Sequence, residues 1–310
     1  MRHLRQYIIF FIWLIPAAVL LCWLLSKDSI KEIKDGIYLV GNKTLEWELE
    51  VTDGVLRSNQ LSNRKTGEKL PLSGEEFALR AGFKKDMGWT TRGEETVYGL
   101  KVFQTVTPDK CLPVQYKKEN DSFAFYYYYS PLKLSLKLEY SYDAKSPFIH
   151  RALTVESFSD EELVMEDAAL GNWIGARVVT GGGRGLPVFL DDKWFLSGEA
   201  PWLDAQIKDN AVVMREYPSA FLRYGSKYAF DPVLAGGGDK NPRKLLSDYI
   251  RTIILPPKFV TVYNTWCDFR RDNLKCDNVV NAFLKLCEGL RAYGTGIDYC
   301  VVVNARPVYV

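Results

Sequence analysis

From Asp35 onward, apolar and polar positions alternate with a period of two. Leu45, Trp47, Leu49 and Val51 are separated by Glu46, Glu48 and Glu50, and Asp53-Gly54 supplies a turn before Val55-Leu56. Along 132–142 the pattern is cleaner. Leu132, Leu134, Leu136, Leu138, Tyr140 and Tyr142 share one face, and Lys133, Ser135, Lys137, Glu139 and Ser141 the other. Successive side chains of a strand point to opposite faces, so this is the pattern of a half-buried strand in an antiparallel sheet. Phe123–Tyr129 is the expected partner strand, with the chain reversing at Ser130-Pro131. Further strands are expected near Ile37–Leu39, Phe77–Arg80, Thr96–Thr105, His150–Glu156, Leu163–Leu170, Ala211–Glu216 and Phe221–Tyr224. Many short strands punctuated by turn residues predict a large β-sandwich and a mainly β fold.

The period changes after Gly236-Gly237-Gly238. Asn241-Pro242 reads as an N-cap followed by a first-turn proline, and the spacing predicts a helix over Arg243–Ile253 that Pro256-Pro257 closes. Phe259–Tyr263 is a compact apolar run of the kind a buried parallel strand shows. Asp277 can cap a second helix, in which Val280, Phe283, Leu284, Cys287 and Leu290 recur at three and four residues until Gly294. Ile297–Val303 reads as another buried strand. Strand, helix and strand make a βαβ unit. Such a unit can open a (β/α) barrel, which takes about 250 residues in full, far more than follow Pro256.

The N-terminus differs from both regions. Arg2, His3 and Arg5 precede an uncharged apolar run, Tyr7–Leu25, which Lys27-Asp28 closes. A bilayer-spanning helix needs about 17–25 such residues, whereas a signal-peptide core has about 7–15. The expectation is an N-terminal transmembrane helix acting as a signal anchor, kinked at Pro16, with the body outside the cytoplasm. A cleaved signal peptide and a secreted body is the alternative. The expected organisation is a leader over 1–28, a β domain over 33–240, and a helical linker with one βαβ unit over 241–310.

Charge and composition narrow the chemistry. Forty basic and 38 acidic residues give a net charge of +2, so there is no basic excess to favour a nucleic-acid partner. The six cysteines form no paired CxxC motif, which excludes the common zinc sites and leaves them as free, mostly buried thiols. Of two histidines, only His150 lies in the body, too few for a histidine metal site. No cofactor and no metal are expected. Gly181–Gly185 and Gly236–Gly238 lack the Lys-Ser/Thr of a phosphate loop and read as turns. Asp191-Asp192 followed by Trp194-Phe195, with Trp202 nearby, places carboxylates beside aromatics. That combination suits a sugar, which offers hydroxyls and apolar C–H faces, and it equally suits a loop packed on its own domain.

Several segments, taken in order, carry a resemblance. They are Asp53-Gly-Val-Leu-Arg-Ser58 with Leu61-Ser-Asn-Arg-Lys-Thr-Gly67, then Gly185-Leu-Pro-Val-Phe189, Trp194-Phe195 and Gly198-Glu199. Tyr249-Ile-Arg251, Leu255-Pro-Pro-Lys258 and Tyr263-Asn-Thr-Trp-Cys-Asp268 follow. Together they resemble glycoside hydrolase clan D, which contains the family 36 α-galactosidases. The resemblance implies an antiparallel supersandwich of the galactose mutarotase type, then a catalytic (β/α) barrel acting on α-linked galactose without a metal. It places Trp266 and Asp268 at the C-terminal end of the first barrel strand, the end where barrel active sites form. There Trp266 would stack on the sugar and Asp268 would make a polar contact. Trp194 and Trp202 complete the candidate substrate-binding set.

The departure matters as much. Such enzymes end the second barrel strand in Asp-Asp-Gly-Trp, whereas here Tyr299-Cys-Val-Val-Val303 runs into Asn304-Ala-Arg-Pro-Val-Tyr-Val310. The catalytic Asp pair belongs to later strands. Retaining hydrolysis needs two carboxyl groups about 5–5.5 Å apart, so no catalytic residue is assigned and the chain by itself is expected to be inactive. A frameshift, a premature stop, a decayed gene or a short product with a new use would each give this pattern. The competing readings are a membrane-anchored, non-catalytic sandwich that binds glycans or an envelope partner, and a mutarotase-type epimerase. The epimerase needs a histidine and a carboxylate, and the body offers His150 alone. The expected partners are a galactoside or related glycan, the membrane through the N-terminal helix, and a second copy through the exposed edges of the terminal βαβ unit.

Overall fold

In the computed structural model, the alternation over 132–142 becomes the strand Leu134–Tyr142. Leu134, Leu136, Leu138 and Tyr140 are fully buried, and Ser135, Lys137, Glu139 and Ser141 are half-exposed. Phe125 of Ser122–Tyr129 lies opposite Leu138 on one side, and Leu153 of Phe148–Ser157 on the other, both antiparallel. The structure describes residues 31–254 apart from 35, 93, 120–121, 143–146 and 238–240, together with 262–264, 276–291 and 299–301. Two compact units part between Thr252 and Ile253.

The first unit is built from three antiparallel sheets. A five-stranded sheet runs from Lys31–Lys34 to Lys69–Pro71, an eight-stranded sheet centres on Leu163–Ile174, and a nine-stranded sheet contains Ser122–Tyr129, Leu134–Tyr142 and Phe148–Ser157. Their inner faces share one apolar core. Trp47 of the five-stranded sheet meets Tyr140 of the nine-stranded sheet at 5.3 Å and Trp173 of the eight-stranded sheet at 5.5 Å, centroid to centroid. Each fully buried Leu or Phe in such a core stabilises it by about 1.5–3 kcal/mol. The expected strand Thr96–Thr105 is divided. Glu95–Leu100 turns back on Met87–Arg92 as a separate hairpin that exposes Trp89 and Tyr98, and Gln104–Val106 pairs with Ala78–Phe83.

Three hairpin turns place two consecutive non-helical residues at positive φ: Asp53-Gly54 (53° and 76°), Asp191-Asp192 (51° and 53°) and Asp209-Asn210 (50° and 61°). A two-residue turn of type I′ needs φ above zero at both central positions, and Asp, Asn and Gly adopt it most readily. The other two turns are two-residue loops, whereas Asp191-Asp192 opens a three-residue turn with Lys193 that joins Val188–Leu190 to Trp194–Gly198, Leu190 pairing with Trp194.

Helix α1, Pro242–Ile253, begins as its sequence implies, with the Asn241 side-chain oxygen accepting from the Arg243 N–H at 2.9 Å. Its Leu245, Leu246 and Tyr249 pack on Phe148, Phe189, Phe195 and Leu234 of the nine-stranded sheet. In the second unit, Val262–Asn264 and Tyr299–Val301 pair in parallel, with Val262 opposite Tyr299. Helix α2, Cys276–Arg291, lies between them in the chain and takes Asp277 into its first turn, so Asp277 does not precede the helix as a cap.

The expected fold class needs correction at its N-terminal element. Among the described residues no helix is long and apolar enough to cross a membrane, and the α-helices among them are α1 and α2. The described fold is mainly β with antiparallel sheets in its first unit, and no described helix supports the expected transmembrane element. The run Tyr7–Leu25 on which that expectation rested lies outside the described residues.

Candidate functional site

Three polar constellations stand out in the first unit. The first lies inside the sandwich. Glu76 and Arg151 are both without exposed side-chain surface, and Arg151 Nε lies 3.1 Å from Glu76 Oε2. Ser58 Oγ donates to Glu76 Oε1 at 2.6 Å and itself accepts from Trp47 Nε1 at 2.9 Å. The Tyr140 hydroxyl donates to Glu76 Oε2, and the Arg151 guanidinium also donates to the main-chain oxygens of Leu170 and Glu76. Burial and the neighbouring Glu76 charge push the Tyr140 hydroxyl well above its ordinary pKa, so it stays a donor. The cluster is sealed by Trp47 and Trp173 and has no opening for a substrate. It joins strands of different sheets, which makes it a structural lock.

The second constellation holds the one histidine of the body. His150 Nδ1 lies 3.1 Å from Glu199 Oε1, and the Tyr249 hydroxyl of α1 donates to the same oxygen. The histidine and carboxylate required by the epimerase reading therefore do meet. Both side chains are about a quarter exposed, and the Tyr249 ring stands 5.9 Å from the imidazole. With one carboxylate oxygen shared by donors from sheet and helix, the arrangement clamps α1 to the sheet. The hydrogen bond from His150 holds Glu199 below the usual carboxylate range, while burial pushes Tyr249 up. The signs give a pH window. A carboxylate with a depressed folded pKa contributes stability above its unfolded value near 4.5 and loses it as pH falls. A tyrosine with a raised pKa contributes below its unfolded value near 10 and loses that as pH rises. Amide protection in α1, relative to the intrinsic exchange rate at each pH, should therefore fall below about pH 4.5 in the native chain, and this acid step should vanish in Glu199→Gln. An acid step that survives the substitution would assign it to another group.

The third constellation is an open cleft of about 490 Å³, lined by Glu68, Lys69, Pro71, Gly175, Arg177, Val178, the Asp191-Asp192 turn, Lys193 and Trp194. The turn is fixed to the cleft's far wall. Asp191 Oδ1 accepts from the Arg177 and Val178 N–H groups at 2.9 and 2.8 Å, and the Asp191 N–H donates to the Val178 oxygen at 2.9 Å. Lys193 Nζ pairs with Glu68 at 2.5 Å, which ties the hairpin to the five-stranded sheet. Gly175 closes the floor because a side chain there would meet Pro71, its Cβ falling 1.7 Å from the Pro71 oxygen.

The sequence-selected residues separate in this structure. Asp191 and Asp192 line the cleft, as does the edge of Trp194, but the Trp194 side chain is only 2% exposed and its body belongs to the core. Trp202 is 53% exposed and does not line the cleft. Trp266 and Asp268 lie outside the described residues, as does the sequence after Val301. Sequence reasoning missed Glu68, Arg177 and Glu199 as partners. No local spacing relates residues 68, 177 and 192; sheet topology alone brings them together. The described part also leaves Cys111 as a free thiol, pushed up to about 12 by burial and therefore unreactive at neutral pH.

No protein-family model matches this chain, and no curated protein matches it. Among solved structures it is similar to the family 36 α-galactosidase AgaB from Geobacillus stearothermophilus, at 9% identity and a TM-score of 0.45, over 88% of this chain and 50% of that one. It is also similar to a variant of the α-galactosidase AgaA from the same organism in complex with stachyose, at 11% identity and a TM-score of 0.45, over 86% and 49%. A galactose mutarotase related enzyme from Lactobacillus acidophilus is similar at 11% identity and a TM-score of 0.41, over 66% of this chain and 99% of that one. The chain spans about half the length of the solved galactosidases it matches. At these identities and scores the likenesses carry no conclusion about family or chemistry.

Proposed function

We propose that this stretch of sequence corresponds to the front part of an α-galactosidase-like glycoside hydrolase, and that it binds galactosides without hydrolysing them. The observation that carries the reading is the βαβ unit after the sandwich. The segment Tyr263-Asn-Thr-Trp-Cys-Asp268, the most distinctive part of the resemblance, begins on Val262–Asn264, and that strand pairs in parallel with Tyr299–Val301 across α2. A large antiparallel sandwich, then a capped helix, then parallel strands is the order such an enzyme requires. Hydrolysis calls for two carboxyl groups at a fixed separation, which the resemblance places on later barrel strands.

The test is a calorimetric titration of the purified chain with stachyose, beside an assay of galactose release. The expected result is saturable binding with no galactose released above the buffer rate. Absence of binding to stachyose would remove the carbohydrate reading, and steady release of galactose would overturn the claim that this stretch is inactive.

A further inference from the structure

We propose that the cleft between the Asp191-Asp192 turn and the 175–178 segment is a binding site for a neutral oligosaccharide, formed by the sandwich alone. This rests on the carbohydrate reading above and adds the place and the ligand chemistry. The cleft's volume of about 490 Å³ falls within the range of ligand pockets, about 300–1,000 Å³. Its rim carries three cations, Lys69, Arg177 and Lys193, and three anions, Glu68, Asp191 and Asp192, so the formal charges cancel. A phosphate or a uronate would be drawn to a one-signed field. Hydroxyls both donate and accept, which suits a lining of mixed sign and no net charge.

The groups divide into committed and available ones. Asp191 is held by two backbone N–H groups, and Lys193 and Glu68 hold each other. Among the described residues the Arg177 guanidinium, the Lys69 ammonium and the Asp192 carboxylate have no side-chain hydrogen bond or ion pair. A guanidinium presents a planar fork of donors, and a carboxylate two acceptor oxygens. Each can engage two adjacent hydroxyls of a pyranose, one as donor and one as acceptor. Both are carried on backbone already fixed, Arg177 by its N–H bond to Asp191 and Asp192 by the 191–193 turn, which the Lys193 N–H closes on the Leu190 oxygen at 3.1 Å, so little ordering is required on binding. Pro71 and the half-exposed Val178 side chain supply apolar surface for C–H groups, while Trp194 offers no open ring face. The site therefore holds a sugar mainly through hydroxyls.

The experiment is the stachyose titration repeated on Arg177→Ala and Asp192→Asn, both on exposed side chains, with unchanged circular dichroism and melting temperature confirming the fold. A second titration uses an oligogalacturonide of equal length. The proposal expects at least a tenfold loss of stachyose affinity in each variant, and no tighter binding of the oligogalacturonide by the native chain. Full affinity in both variants would overturn the site while leaving the carbohydrate reading intact. No binding by the native chain would overturn the carbohydrate reading and the site with it. Oligogalacturonide binding tenfold tighter than stachyose would overturn the neutral class of ligand.

Discussion

Replacing Arg151 by methionine is expected to lower the unfolding free energy by about 3–5 kcal/mol, the range for removing one partner of a buried ion pair. Both members have no exposed side-chain surface, so loss of the guanidinium strands the Glu76 carboxylate where water cannot solvate it. The same substitution removes the donors to the Leu170 and Glu76 main-chain oxygens, and the cation lying 5.2 Å above the Trp173 ring. The double variant Arg151→Met, Glu76→Leu should regain part of the loss, because no uncompensated charge remains. It should not regain all of it, because Ser58 and Tyr140 then lose their acceptor. Urea unfolding of the native chain and the two variants measures this, with an unchanged m-value confirming that the unfolded reference is the same. A loss below about 1 kcal/mol in the single variant, the level of a surface pair, would show that water reaches the pair.

Trp47→Ala should cost a similar amount, about 3–5 kcal/mol, by loss of burial and by the cavity it leaves. Trp47 is fully buried where three sheets meet, with its ring against Tyr140 and Trp173. Its indole N–H also orients Ser58 toward Glu76, so the two predictions are connected. Residues in one hydrogen-bonded network couple by about 0.5–3 kcal/mol. A double-mutant cycle of Trp47→Ala with Arg151→Met should therefore be non-additive. Trp47→Phe keeps most of the ring and should lose less than the alanine variant. Additive losses would mean that the network does not act as a unit.

The strands were legible wherever one face meets water. Leu134–Tyr142 reads directly from its alternation because half of its residues must be polar. Segments shaped by turns were read less well. The expected strand Thr96–Thr105 is broken between two sheets, and the short strands from Val179–Gly181 to Val188–Leu190 were read only as a glycine turn region. A strand of three residues carries too little pattern to be distinguished from a loop. Gly181-Gly182 does serve as a turn, at φ of 88° and 83°, with the Pro187 oxygen 2.4 Å from where a Gly181 side chain would begin.

The sequence by itself determined the antiparallel sandwich, the capped start of α1 and the change of period after residue 238. All of these follow from the local spacing of apolar residues and from turn and cap chemistry, which act over a few residues. Only the tertiary structure decided that Glu76 meets Arg151, that His150 meets Glu199 and Tyr249, and that Arg177 and Asp192 share a cleft with Glu68. It also decided that Trp194, an apparent sugar platform beside two aspartates, gives its ring to the core. The physical reason is common to all of them. A side chain's neighbours across a sheet or between sheets are set by strand order and register. These are fixed by the burial of the whole apolar surface at once, and by no short stretch of the chain.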